Sequence, residues 1–303
     1  MVNKLMVYVA PRNTFSFGFL LVVLAGICFG SSGVLAKIVI TRGLTPLSVV
    51  SYRFIIATSI LIPITLILNP RLFLVKPVDA FLLAVHSFIG VSMGILLYFQ
   101  TIDLTSASLA VLLLYLNPVF TMAAARFTLN ERITQLKVLA ALLVLAGCFL
   151  AVKGFEAETL KLNATGLALG LTAALAYAFY TVFGKFLLEK RRLNVESLTL
   201  YSIVYAGLSL PLIQILLASL QPVKDMEAWL ALTGLALVPT LLGFALYISG
   251  LKRIEAGRAG IVGAIEIASA LILAFIILGE RLDPVQWLGA LMVLCGVTIV
   301  QKP

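Results

Sequence analysis

One carboxylate lies in the middle of an apolar segment, where charged side chains are costly and usually functional. Glu266 is near the centre of residues 257–279, and the other charged residue of that segment, Arg258, lies at one end. Asn117 lies 149 residues earlier (266 − 117 = 149), again in an apolar segment. Glu266 could bind a substrate ammonium, carry a proton or form a structural hydrogen bond between helices, and the sequence leaves these alternatives open.

Further polar and aromatic side chains in apolar segments are candidates for the same site. His86, the only histidine, could carry a proton or donate a hydrogen bond to a neighbouring helix. Lys37, Arg53 and Lys185 could contact an anionic group, form gates or extend to the membrane interface. The tyrosines of these segments could contact a solute or only pack; they are Tyr98, Tyr115, Tyr177, Tyr180 and Tyr247.

Two prolines are candidates for helix breaks. Pro118 directly follows Asn117, and Pro239 lies within another apolar segment. Because proline lacks a backbone N–H, it leaves a carbonyl oxygen one turn earlier without its helical partner. Such a break either lines a cavity or is only a kink.

The composition predicts that membrane-spanning helices carry these residues. Apolar residues make up 62% of the 303 residues and charged residues 12%, against roughly 45–50% and about 25% in soluble domains. We therefore expect an all-α, multi-span protein of the cell membrane. The net charge of +9 does not indicate nucleic-acid binding, because the basic residues occur singly or in small groups between apolar stretches.

Ten spans are predicted, since about 20 apolar residues cross a bilayer as a helix. If the N-terminus is cytoplasmic, the inside segments hold 15 Lys and Arg residues and the outside loops hold 5. This bias predicts that both termini are cytoplasmic. The predicted spans are 17–39, 48–68, 79–100, 105–127, 136–153, 164–187, 197–219, 228–250, 257–279 and 284–301.

The chain also contains an internal repeat. Leu139–Gly147 and Leu288–Gly296 are identical at six of nine positions, and Glu131-Arg132 returns as Glu280-Arg281. Each copy holds five predicted spans, and an odd number inverts the second copy relative to the first, as in many transporters. The predicted organisation is a cytoplasmic N-terminal segment 1–16, a first repeat 17–153, an extracytoplasmic linker 154–163 and an inverted second repeat 164–301.

No enzymatic chemistry is indicated. Cys28, Cys148 and Cys295 all lie in apolar segments without metal-ligand spacing, so we expect small packing residues rather than a metal site. There is no P-loop motif and no convincing set of nucleophile and base. We therefore expect no enzyme activity, no metal and no cofactor.

Several short motifs together resemble the EamA family of the drug/metabolite transporter superfamily. They are the Arg53-Phe54 pair, the segment Pro118–Phe120 and the two Glu-Arg pairs, and the resemblance covers about residues 17–300. It implies ten helices around a central cavity and export or import of amino acids, nucleosides, drugs and other small metabolites. The family commonly has Glu-Pro in the ninth span where this chain has Glu266-Ile267, which predicts a straighter ninth span here.

We therefore expect a secondary transporter, an exporter or facilitator, of small organic metabolites such as amino acids, working by alternating access. Glu266 and Asn117 would face the central cavity. The expected partners are a small-molecule substrate and the lipid bilayer; proton coupling and the choice between monomer and homodimer stay open. The alternatives are an organic-anion or phosphorylated-sugar exchanger using Lys37, Arg53 or Lys185, and a non-transporting scaffold or intramembrane enzyme.

Overall fold

The computed structural model describes residues 12–156, 163–217 and 219–301. Most of the predicted N-terminal segment 1–16 and of the predicted linker 154–163 lies outside these residues. The described residues are helical and contain no strand. Their α-helices are α1 Arg12–Ile40, α2 Pro46–Leu68, α3 Pro77–Ser87, α4 Gly94–Leu104, α5 Ala107–Leu114, α6 Asn117–Thr128, α7 Gln135–Ala151, α8 Ala164–Glu189, α9 Val195–Leu216, α10 Met226–Leu235, α11 Gly243–Leu251, α12 Ala256–Gly263, α13 Ile265–Leu278 and α14 Pro284–Ile299.

Eight helical stretches among the described residues are long and apolar enough to cross a membrane. Four are single helices or nearly so, and four join neighbouring helices through a local irregularity. Two shorter apolar helices, α7 and α14, accompany them. Large apolar side chains such as Ile67, Phe81, Leu142 and Ile276 are exposed on the outside of the bundle, as expected where helices face lipid tails.

The irregularities recur at equivalent positions of the two halves. A π-helical segment, Phe88–Met93, separates α3 from α4, and another, Ala236–Leu242, separates α10 from α11. The offset between the starts of these segments is 148 residues (236 − 88 = 148). Pro239 lies within the second segment, where its missing N–H disrupts the α-helical bond pattern.

The ninth predicted span is interrupted rather than straighter, so that expectation is wrong. α12 ends at Gly263 and α13 begins at Ile265. At the break, a backbone hydrogen bond to the third preceding residue replaces the α-helical bond to the fourth: Ala264 N–H donates to Ile261 O at 3.2 Å. Gly263 packs against the Tyr247 ring, so tertiary packing accompanies this break without proline. The equivalent break between α5 and α6 lies at Tyr115 (264 − 149 = 115), next to Pro118.

The helices α7 and α14 pack backbone to backbone. A Cβ added at Gly289 would lie 2.6 Å from the carbonyl oxygen of Gly147, and one added at Gly296 would lie 2.8 Å from that of Ala140. Such close approach is available only to glycine. Because Gly147 and Gly296 are repeat equivalents (296 − 147 = 149), the seam joins the last helix of each half.

The helix α1 packs in the same close way on the second half. A Cβ at Gly30 would lie 2.8 Å from the carbonyl oxygen of Glu266, and one at Gly18 would lie 2.6 Å from Cβ of Arg253. These contacts fix the start of α13 against the first helix of the chain. The position of Glu266 is therefore determined by packing between the two halves.

The loops alternate between two faces of the bundle. The described ends of the chain share one face, because the Phe15 ring and the Val300 carbonyl both contact the Arg258 guanidinium. The Glu131 face comprises the described chain ends and loops 69–76, 129–134, 190–194 and 252–255, and the Glu280 face comprises loops 41–45, 105–106, 152–156, 219–225 and 279–283.

Candidate functional site

Glu266 is the second residue of α13, directly after the break at Ala264. Its side chain is partly exposed although its neighbours Ile265 and Ile267 are buried. A carboxylate in the first turn of a helix is favoured by the helix dipole. The break therefore provides a place in the bundle where this carboxylate is electrostatically supported.

Four further polar side chains from different helices lie near Glu266. Its carboxylate interacts electrostatically with Arg53 of α2, Tyr98 of α4, Tyr115 between α5 and α6, and Tyr177 of α8. We call these five residues the central cluster. Each of them is a separate candidate in the sequence, and the fold brings them together.

The Arg53 side chain is held by an aromatic ring rather than by an acidic partner. Its guanidinium carbon lies 5.1 Å from the centre of the Phe54 ring, within the range of a cation–π interaction. Phe54 is fully buried and meets Phe244 edge to face. The Arg53 Nε is buried without a hydrogen-bond partner among the described residues.

Tyr177 is positioned by close approach of α8 to α4. A Cβ at Gly94 would lie 3.1 Å from Cε2 of Tyr177, so a larger side chain there would displace the ring. Tyr177 interacts electrostatically with both Arg53 and Glu266. The Tyr177 hydroxyl therefore lies near both charged groups.

Asn117 has a local structural contact. Its side-chain amide donates to the carbonyl oxygen of Leu114 at 3.0 Å, which is the oxygen that Pro118 leaves without a backbone donor. Thr240 does the same beside Pro239, since its hydroxyl donates to Leu235 O at 2.8 Å. Both proline irregularities are thus satisfied by a neighbouring side chain.

His86 and Tyr247 lie in a separate, buried set of contacts. His86 Nε2 lies 2.9 Å from Tyr180 O and Nδ1 lies 3.3 Å from the Ser202 hydroxyl. The Tyr247 hydroxyl lies 2.8 Å from Thr181 Oγ1. These bonds join α3, α8, α9 and α11, so the structure places both residues at contacts between helices.

Lys185 and Lys37 lie at opposite faces and bind protein groups. Lys185 is buried and donates to the carbonyl oxygens of Leu251 at 2.7 Å and Ile254 at 2.8 Å, at the C-terminal end of α11. Lys37 forms a half-exposed ion pair with Glu280 at 2.5 Å. The structure therefore separates both lysines from the central cluster.

The contacts of Glu131 were not predicted from the sequence, where this residue is only part of a repeated motif. The Glu131 carboxylate accepts the N–H groups of Ala256 at 2.5 Å and Gly257 at 3.0 Å, at the start of α12. Burial raises the pKa of Glu131, although the two amides oppose this shift. The sequence feature that could have drawn attention to Glu131 is its equivalence with Glu280 in the repeat (280 − 131 = 149).

Lys137 and Glu255 extend this contact on the Glu131 face. The nearly inaccessible Lys137 ammonium lies 2.9 Å from the Glu255 carboxylate and donates to Arg132 O at 2.8 Å. Arg258 lies 2.7 Å from the same carboxylate. Burial opposes ionisation of Glu255, but the two cations lower its pKa below the ordinary value.

On the Glu280 face, a surface cavity of about 360 Å³ lies where the Glu131 face has the contact between a glutamate and a helix start. It is lined by the start of α5, at Ala107 and Ser108, and by Lys153, Glu156 and Gln286. Ala107 and Ser108 are the repeat equivalents of Ala256 and Gly257 (107 + 149 = 256). On this face, Glu280 pairs with Lys37 rather than with that helix start.

The described side chains offer no group of three His, Cys, Asp or Glu residues that could hold a metal ion. The central cluster instead combines one cation, one carboxylate and three phenols. Such a set can bind a small solute through charge and hydrogen bonds.

The fold and this cluster define a multi-pass integral membrane protein of the cell membrane, built from two related halves. The profile described as "EamA-like transporter family" matches residues 16–153 and 164–301. The chain belongs to this family and is a membrane transporter. The resemblance predicted from the sequence motifs is confirmed.

Individual relatives agree with this assignment. An uncharacterized inner membrane transporter of Salmonella typhimurium, YicL, is 28% identical over 289 residues, 93% of this chain and 94% of its own. A protein of the same organism named as a probable amino-acid metabolite efflux pump is 28% identical over 200 residues, 64% of this chain and 67% of its own. A crystal structure with 20% sequence identity has the same fold, with a TM-score of 0.79 over 96% of both chains.

Proposed function

We propose that the protein is a secondary transporter, an exporter or facilitator, of small organic metabolites such as amino acids. Transport proceeds by alternating access through the centre of the bundle, where Glu266 and Arg53 contact the substrate. The observation that carries this proposal is the difference between two equivalent carboxylates. Glu131 binds the start of α12, whereas Glu280 pairs with Lys37 on the other face.

Inverted repeats explain how this difference produces alternating access. In the opposite state, Glu280 releases Lys37 and accepts the amides of Ala107 and Ser108, while Glu131 releases α12. The surface cavity beside Ala107 and Ser108 supports this exchange, because it leaves space at that helix start. Each face is then closed in turn by the same contact.

The membrane arrangement belongs to the same proposal. The eight long helices and the shorter α7 and α14 form ten spans, in the repeats 17–153 and 164–301 joined by the outer linker 154–163. The excess of basic residues in the loops of the Glu131 face supports a cytoplasmic location for that face and for both termini.

The name of one relative supports the choice of substrate. The Salmonella protein named as a probable amino-acid metabolite efflux pump aligns with about two thirds of this chain. An amino acid also suits a cluster that contains both a cation and a carboxylate. Proton coupling through Glu266 and the choice between monomer and homodimer are separate questions for the same experiments.

The organic-anion or phosphorylated-sugar exchanger is less well supported. Two of its three proposed anion contacts, Lys37 and Lys185, are occupied by protein groups. Only Arg53 lies in the central cluster, and Glu266 opposes an anion there. The scaffold or intramembrane enzyme has no comparable support. Neither of these functions requires two faces of the bundle that are closed in turn by equivalent contacts.

Transport by purified protein in proteoliposomes tests the proposal. A panel of amino acids, organic anions, sugar phosphates and amines is measured for uptake and counterflow, with and without a proton gradient. We expect counterflow of at least one small solute. A protein that moves none of them in either direction would contradict the transport proposal.

The variant Glu266→Gln tests whether Glu266 takes part in transport. It keeps the volume of the side chain and removes the charge, so the protein is expected to fold normally and to lose most of its transport. Arg71→Gln, which removes an exposed loop charge, is the control and keeps wild-type transport. Unchanged uptake by a well-folded Glu266→Gln protein would remove Glu266 from the mechanism.

A further inference from the structure

Arg53 and Glu266 carry opposite charges inside the bundle, but they are not bonded to each other. They attract electrostatically, yet neither belongs to an ion pair with any residue that the structure describes. The Arg53 Nε is also buried and has no hydrogen-bond partner among the residues that the structure describes. Opposite charges this close together inside a helix bundle normally pair with each other or with another group.

The two groups lie at different depths. Arg53 is seven residues from the start of α2 (53 − 46 = 7), about 10 Å from the Glu280 face at 1.5 Å per residue. Glu266 is twelve residues from the end of α13 (278 − 266 = 12), about 18 Å from that face. A solute that enters from the Glu280 face meets the cation first and the carboxylate further in.

Electroneutrality restricts the solute that fits between them. An anion on Arg53 alone would bring a second negative charge towards Glu266, and a cation on Glu266 alone would face Arg53. Like charges brought together in a poorly solvated site are strongly disfavoured. A solute with one group of each charge completes both contacts.

We propose that Arg53 and Glu266 bind the two ends of a zwitterion, namely the carboxylate and the ammonium of an α-amino acid with an uncharged side chain. The Arg53 guanidinium donates to the carboxylate, and the Glu266 carboxylate accepts from the ammonium. This inference rests on the proposed transport function and assigns one residue to each charged end of its substrate.

The surrounding groups fit a neutral amino acid. Tyr177 interacts electrostatically with both charged residues, and Tyr98 and Tyr115 supply two more phenol rings around Glu266. Aromatic rings of this kind present apolar faces and a few hydroxyls. A third charge on the solute would have no partner in the central cluster.

Competition by analogues that lack one charge tests the inference without changing the protein. Transport of a panel of neutral L-amino acids is first measured in proteoliposomes that contain the wild-type protein. The amino acid that is transported best then serves as the probe. Its amide lacks the carboxylate, and its N-acetyl derivative lacks the ammonium. Each is expected to compete at least about tenfold less well, the effect of losing one charge-assisted hydrogen bond.

Two variants then assign each charge to its end of the solute. Arg53→Gln is expected to abolish the preference for the amino acid over its amide, because the carboxylate has lost its partner. Glu266→Gln is expected to abolish the preference for the amino acid over its N-acetyl derivative. Because this variant loses most of its transport, the preferences of both variants are measured as competition for binding of the probe to purified protein. Arg71→Gln, in an exposed loop, keeps both preferences. If a variant does not fold, the selectivity of the wild-type protein still decides the inference.

The outcomes separate this inference from the transport proposal. If organic anions or amines are transported and neutral amino acids are not, the zwitterion inference is wrong and the transport proposal stands. Equal competition by the amino acid and both analogues also overturns the inference. If no solute is transported at all, both proposals fail.

Discussion

The Glu131 face and the Glu280 face are built from equivalent segments but are held by different contacts. The Glu131 face uses buried lysines and a partly buried carboxylate: Glu131 binds backbone amides, Lys137 bridges Glu255 and Arg132, and Lys185 binds carbonyls at the end of α11. The Glu280 face uses ion pairs that are about half exposed, such as that of Lys37 with Glu280. Buried, hydrogen-bonded charges resist disruption far more than exposed pairs do.

The contrast shows that a repeated sequence does not impose a repeated set of contacts. Glu131 and Glu280 stand at equivalent positions, but one binds a helix start and the other binds a lysine from α1. Two halves with one sequence pattern can therefore hold different conformations. The predictions below test whether the two faces differ in stability as their contacts imply.

The largest expected effect comes from removing the buried lysine. Lys137→Ala leaves Arg132 O and part of Glu255 without a donor, and we expect a loss of about 2–3 kcal/mol in the free energy of unfolding. The matched change on the other face, Lys37→Ala, should lower it by less than about 1 kcal/mol. Chemical denaturation in detergent measures both. Equal losses would mean that the two faces do not differ.

A smaller effect is expected at the equivalent glutamates. Glu131→Ala removes the acceptor for two amides at the start of α12, and helix caps of this kind contribute about 1–2 kcal/mol. Glu280→Ala removes one exposed ion pair and should cost less than about 1 kcal/mol.

Hydrogen exchange locates the same effect. In Glu131→Ala, the amides of residues 255–260 should exchange faster, while those of 276–283 stay unchanged. In Glu280→Ala, residues 255–260 should behave as in the wild-type protein. Faster exchange at 255–260 in both variants would show that the two contacts are coupled within one state rather than alternatives.

The smallest expected effect is a pH dependence of opposite sign at two carboxylates of the Glu131 face. The pKa of Glu131 is raised by burial, so its stabilising contribution is full below the ordinary pKa and falls as the pH rises through the raised value. The pKa of Glu255 is lowered by Lys137 and Arg258 against the effect of burial. Its contribution is present above the ordinary pKa and is lost as the pH falls through the lowered value.

Unfolding midpoints between about pH 3 and about pH 6, a range that brackets the ordinary glutamate pKa of about 4.3, measure this difference. The advantage of wild type over Glu131→Gln should shrink as the pH rises, and its advantage over Glu255→Gln should grow. Parallel curves for both variants would contradict the assignment of the two carboxylates.

The spans could be predicted because their signal is strong and local. Long apolar runs bounded by charges specify helices of membrane length, and the described helices lie close to the predicted limits. The π-helical segment Phe88–Met93 was not predictable, since it differs little in hydropathy from its surroundings, whereas Pro239 marked the second segment as a helix break. The break at Ala264 has no proline and depends on how α12 packs, which only the folded bundle determines.

The candidate site was predictable residue by residue but not as a group. Glu266 stood out because it is a carboxylate in an apolar span, and Arg53 because it is a cation in another. That these two lie close enough to interact electrostatically depends on the rotation of α2 and α13, and apolarity on all sides of a membrane helix conceals that rotation. The bond from Asn117 to Leu114 O could have been inferred from Pro118, which removes the usual donor.

The glycine seam between α7 and α14 limits which parts of the protein can move. Backbones in contact at Gly147 and Gly289 leave no room for one helix to slide along the other without a collision. We therefore expect α7 and α14 to stay together as a fixed axis while the remaining helices tilt around them. Because this axis contains one helix from each half, both halves would turn about a common support.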